Sequence, residues 1–69
     1  MKLSTRNLIK GKVVEVKEGA VIAKVKVDIG GGNFLTSTIT VDAARELGLK
    51  EGEQVFAFIK ASNVMIAKE

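Results

Sequence analysis

The residues able to do chemistry in this chain are donors, and they cluster at its start. Ser4, Arg6 and Asn7 stand immediately before the first strand-like run, Leu8 to Val16, in a chain without Cys, His or Pro. Arg6 offers a planar fork of N–H groups and a permanent charge, Lys60 a compact ammonium, and Ser4, Asn7 and Thr40 neutral donors. An unprotonated tetrahedral dianion needs only donors. A protonated oxyanion such as hydrogen phosphate carries an O–H, which a donor-dominated pocket leaves without an acceptor at a real cost. The pattern therefore suits a fully ionised oxyanion. The segment Val41 to Ala43, read below as a helix start, adds backbone N–H groups and the positive end of a dipole. Taken singly, each residue has an ordinary role: Ser4 ending a strand, Arg6 and Lys60 as solvated charges, Thr40 capping its helix. It is the combination that points to a ligand.

Enzymatic chemistry is not expected. With no His and no Cys the usual proton shuttles and thiol nucleophiles are missing. Asp28, Asp42 and the glutamates fall on solvated strand faces, a helix start and turns. The glycines of Gly30-Gly31-Gly32-Asn33 read as a turn rather than a phosphate-cradling loop, because a strand-like run follows them and no Lys-Ser/Thr pair does.

These donors must be positioned by a small scaffold. Sixty-nine residues make one domain, taken as 1–69, and a chain this short buries only about 60% of its unfolded surface. Disulfides and soft-metal staples are excluded by composition, which leaves oligomerisation as the route to stability. The net charge of +3 favours anionic partners without naming one, since Lys and Arg are interspersed with acids. No stretch reaches the length of about 20 apolar residues that spans a bilayer, and the start lacks the apolar core of a signal peptide. The expected location is the cytoplasm, with no membrane partner.

Alternation over Val21, Ala23, Val25, Val27 and Ile29, preceded by the Val14/Val16 register and a turn at Lys17-Glu18-Gly19, predicts a hairpin over 8–29. Phe34 to Thr40 is β-branched and predicts a third strand. Val41, Ala44 and Leu47 then fall three apart, which predicts a short helix capped by Thr40 and ended by Gly48. Gln54–Lys60 and Val64–Ala67 predict two more strands. The expected fold class is all-β: an OB-like five-stranded small barrel with one short helix, equally compatible with an N-terminal strand exchanged between protomers.

At this point the chain resembles the molbindins, the small Mop-type molybdate/tungstate-binding domains related to TOBE domains. The resemblance rests on Ser4-Thr5-Arg6-Asn7 with Lys10-Gly11-Lys12-Val13, Gly31-Gly32-Asn33 with Thr36-Ser37, Leu47 to Gly52, and Ile59-Lys60-Ala61-Ser62-Asn63-Val64-Met65-Ile66. It implies a barrel with an exchanged strand, assembled as a hexamer (a trimer of dimers). It also implies molybdate or tungstate held at subunit interfaces, in intracellular storage or homeostasis of the oxyanion. It carries over Ser4, Arg6 and Lys60 as ligands, with the backbone N–H of Ala61 beside Lys60, and Thr40 and the position of Ala43 from a neighbouring subunit. The chain departs from the family at Thr5, where Ala is usual, at Leu8, where Gln is usual, and at Ala43 and Ala61, where a hydroxyl residue often stands.

The alternative is a nucleic-acid binder, either OB-like or of the swapped-hairpin type suggested by Ala44 to Gly52. It is the lesser reading. Base stacking needs aromatic platforms, and the aromatics are only Phe34, Phe56 and Phe58, of which the latter two are expected in the core or at an interface. Mop-type domains also occur fused to transporter ATPases and regulators. Met1 and the end-to-end pattern lead us to expect a free-standing chain.

Overall fold

The computed structural model describes residues 6–69. Its elements are β1 (Asn7–Glu18), β2 (Ile22–Gly30), β3 (Asn33–Thr40), α1 (Val41–Leu47) and β4 (Gln54–Ile59), followed by a 3₁₀ turn at Ala61–Asn63. The strands form one antiparallel sheet in the order β3-β2-β1-β4. The predicted hairpin, third strand, helix and fourth strand are all present.

Period-two alternation places Ala23, Val25 and Val27 on the inner face of β2, where all three are buried. Val25 and Val27 pack with Val13 of β1, while Ala23 packs with Val41 and Ala44 of α1. Ile39 and Leu49 touch both groups and join them into one core. The helix can lie on the sheet because its start is tied down from both sides. Thr40 Oγ1 accepts from the N–H of Ala43 at 3.0 Å, and the N–H of Val41 donates to the carbonyl of Val21 at 2.8 Å.

β1 departs from the simple alternation. Its register against β2 shifts between Val13 and Glu15, so Val13, which is buried, lies on the inner face with the half-buried Val16 in place of Val14. Such a bulge spends one residue to re-aim the strand. Here the turn ahead of β4 docks against it: the N–H of Val13 donates to Glu53 O at 2.9 Å, and the N–H of Gly52 donates to Val13 O at 2.8 Å. Upstream of the bulge, Gly11 lets β1 lie close on β2. A Cβ there would run into the Val27 side chain and come within 2.8 Å of the Asp28 carbonyl oxygen.

Two expectations differ from what the structure shows. The fifth strand, Val64–Ala67, is not formed: these residues carry no strand assignment, and Met65 and Ile66 are 93% and 89% exposed. A strand needs an edge to pair with, and the 3₁₀ turn after β4 directs this segment off the sheet of its own chain. The other is narrowed rather than overturned: of the two places expected for Phe56 and Phe58, core or interface, they do not occupy the core of their own chain. By register they share the outer face of β1 and β4 with Lys10 and Leu8, opposite the inner Val55, Ala57 and Ile59, and both are more than half exposed.

With the fifth strand missing, β3 and β4 remain the two edges of an open sheet. An apolar groove of about 720 Å³ runs between them, lined among others by Leu35 and Ile39 of β3, Val55 and Ile59 of β4, and Leu49.

Candidate oxyanion site

Asn7 opens β1 and pairs with Ile59, the last residue of β4, and its side-chain amide donates to the Ile59 carbonyl oxygen at 3.1 Å. This clamp brings Arg6, one residue before β1, and Lys60, one residue after β4, to the same end of the sheet. Both are exposed. Neither cation is neutralised by a carboxylate among the described residues, where the one ion pair joins Arg45 to Glu18 at 3.1 Å. A doubly charged anion between them is the chemical complement of that arrangement.

Ala61 follows Lys60 and opens the 3₁₀ turn, where the N–H of Asn63 donates to the Lys60 carbonyl at 2.8 Å. The first N–H groups of a helical turn have no acceptor within it, which makes the Ala61 N–H, next in the chain to Lys60, a candidate donor. Here the missing side-chain hydroxyl costs nothing in backbone donors. Ser4 lies outside the described residues, as does Thr5.

Thr40 and Ala43 are placed elsewhere. Thr40 pairs with Ile22 at the far end of the sheet, separated from the Asn7 end by nearly all of β1, roughly 35 Å along the strand at about 3.3 Å per residue. The expected donors thus fall into two groups, each able to be half of a site: Arg6, Asn7, Lys60 and Ala61 at one end, Thr40 and Ala43 at the other. The helix start also proves less available than its sequence suggests. The N–H groups of Val41 and Ala43 are both engaged within the chain, to Val21 O and Thr40 Oγ1. The Thr40 hydroxyl accepts in that cap, and its own proton remains a donor.

Sequence reasoning missed the positioning role of Asn7. Its amide reads as one more anion donor until the register shows Ile59 opposite it. Nothing in the donor pattern resembles a cation site, and no group of three or more His, Cys, Asp or Glu that could hold a metal ion occurs among the described residues. No helix among them is long and apolar enough to cross a membrane.

Comparison with known proteins gives the family. The TOBE domain model matches residues 3–66. A probable molybdenum-pterin-binding protein of Haemophilus influenzae is 51% identical over 69 residues, covering all of both chains. The solved structure of a molybdate-binding protein from Sporomusa ovata superposes with a TM-score of 0.92 at 37% identity, covering 99% of this chain and all of that one. The cytoplasmic molybdate-binding protein ModG, solved with molybdate bound, superposes with a TM-score of 0.84 at 48% identity over 88% of this chain and 43% of its own. A family match over nearly the whole length, together with a relative identical at half its positions, shows that the chain belongs to the TOBE domain family, in its molybdenum-binding Mop branch.

Proposed function

We propose that this protein binds molybdate or tungstate as the unprotonated tetrahedral dianion, at interfaces between copies of the chain, and serves in intracellular storage or homeostasis of the oxyanion rather than in catalysis. The observation that supports this reading is the Asn7–Ile59 pair, which puts Arg6 and Lys60 at the same sheet end, with no ion pair to either among the described residues. The relatives and solved neighbours, binding proteins for molybdenum species, supply the identity of the anion.

Assembly follows from the separation of the two half-sites. Thr40 and Ala43 of one chain complete a site with Ser4, Arg6, Lys60 and Ala61 of another, in a homo-oligomer proposed to be a hexamer built as a trimer of dimers. Strand exchange closes the barrel. The groove between β3 and β4 has room for a strand and an apolar lining, and the segment Val64-Met65-Ile66 is apolar, begins in extended backbone at Val64 and leaves Met65 and Ile66 almost fully exposed in its own chain. The occupant proposed for the groove is that segment from a second copy. Residues 1–69 then act as one domain, and nucleic acid is not a partner.

Calorimetric titration with molybdate, tungstate, sulfate and phosphate, combined with light scattering, tests the reading. Molybdate and tungstate should bind well ahead of phosphate, whose proton lacks an acceptor, and of sulfate, a smaller tetrahedron. Equal affinity for phosphate defeats the donor-set argument, and a stable folded monomer at micromolar concentration defeats the interface argument.

A further inference from the structure

The register of the sheet places five lysines on its outer face: Lys10, Lys12 and Lys17 of β1, and Lys24 and Lys26 of β2. The carboxylates on the β1–β2 part of that face are Glu15 and Asp28, paired with Lys26 and Lys12 respectively. Asp28 is already turned to the backbone, its Oδ1 accepting from the Gly30 N–H at 2.8 Å. None of the five lysines forms an ion pair, since Arg45–Glu18 is the one such pair among the described residues. Lys26 is held instead over the ring of Phe34, its Nζ 4.6 Å from the centroid. Lys17 and Lys24 stand directly opposite each other, a like-charge cross-strand pair that costs stability.

The stripe has ends as well as a sign. Lys10 lies on β1 close behind Asn7, beside the Arg6–Lys60 half-site. Lys24 pairs with Thr38 on β3, and by alternation Thr40 lies on this same face one step further along. A band of net positive charge, five lysines against two carboxylates, therefore joins the two half-sites along the β1–β2 hairpin.

We infer that this lysine face is an electrostatic collector for the tetrahedral dianion: it raises the anion's local concentration over the hairpin and speeds its arrival at either half-site, without being a binding site itself. The inference rests on the oxyanion-binding reading given above. Fields of one sign along a surface raise on-rates by about 10- to 1,000-fold at low ionic strength, and they act beyond contact distance only within a Debye length of about 30 Å at 0.01 M and about 3 Å at 1 M.

The test is stopped-flow association of molybdate with the whole chain and with Lys12→Gln/Lys17→Gln/Lys24→Gln, which lowers the formal charge from +3 to zero. The ultraviolet absorbance of the ligand gives the readout, in a protein without Trp or Tyr. At about 0.01 M salt the variant should associate about tenfold more slowly with an unchanged dissociation rate, and the difference should collapse at about 1 M salt. An unchanged association rate overturns the inference, as does a loss confined to the dissociation rate, which would make these lysines direct ligands. The same titration of the unmodified chain separates the two readings. Failure of molybdate to bind there overturns the proposed function and the collector with it, whereas binding with salt-independent association overturns the collector alone. The variant should also unfold at higher urea than the unmodified chain, because the Lys17–Lys24 repulsion is gone. Unfolding at lower urea would mean that the lysines serve the fold, and would overturn the inference.

Discussion

Thr40 has two duties in the proposed scheme, and one substitution separates them. As N-cap its Oγ1 accepts from the Ala43 N–H at 3.0 Å, and as a ligand its hydroxyl would donate to the oxyanion. Thr40→Ala removes both: loss of an N-cap oxygen costs about 1 kcal/mol, and the site loses a donor. Thr40→Asp divides them. Asp is at least as good a cap and favours the helix dipole, so stability in urea, followed by far-ultraviolet circular dichroism at fixed protein concentration, should stay within about 0.5 kcal/mol of the unmodified chain. The carboxylate, however, faces a dianion. Two unit charges about 4 Å apart repel by about 1 kcal/mol even at the dielectric constant of water, so against a double charge the penalty is about 2 kcal/mol. Titration calorimetry should therefore show an affinity loss of about 30-fold or more for Thr40→Asp, and near-normal behaviour in both assays for Thr40→Ser. Molybdate binding by Thr40→Asp equal to that of the unmodified chain would refute a ligand role for this hydroxyl. Equal destabilisation by Asp and Ala would refute the cap.

Other outcomes follow from the same geometry. Arg6→Ala and Lys60→Ala should each lower molybdate affinity more than about tenfold at moderate salt, since truncating one member of a desolvated charge contact costs roughly 2–5 kcal/mol. Lys24→Ala should have a small effect that vanishes with added salt, and calorimetry of the three at two salt concentrations is the check. Gly11→Ala should destabilise by about 1–3 kcal/mol in urea unfolding, because the added methyl meets the buried Val27 and the Asp28 carbonyl. A change below about 0.5 kcal/mol would mean that the hairpin gives way there more easily than close packing allows. Met65→Asp/Ile66→Asp should leave the four-stranded sheet of each chain intact yet abolish the oligomer, read by light scattering. An unchanged mass would remove this segment from the interface.

Local periodicity determined most of the elements. Ala23, Val25 and Val27 alternate with lysines and so must lie on one strand face, and the Val41, Ala44, Leu47 spacing between Thr40 and Gly48 allows little other than a short capped helix. The donor chemistry was equally legible, because it depends on side-chain type and not on place. Three features were decided only in three dimensions. The bulge after Val13 changes which β1 residues face inward, and it answers to the docking of Gly52 and Glu53, some forty residues away. That Arg6 and Lys60 come to one end of the sheet depends on a strand register in which Asn7 meets Ile59, a pairing between distant parts of the chain that no local pattern encodes. The last strand failed to join the sheet although Val64 to Ala67 has strand-like composition, because β structure is completed by an edge and not by propensity. A helix closes its hydrogen bonds within its own segment, so its neighbours in sequence can specify it. A strand closes them with a partner, so the sequence could name the pieces while the tertiary structure alone settled which of them meet.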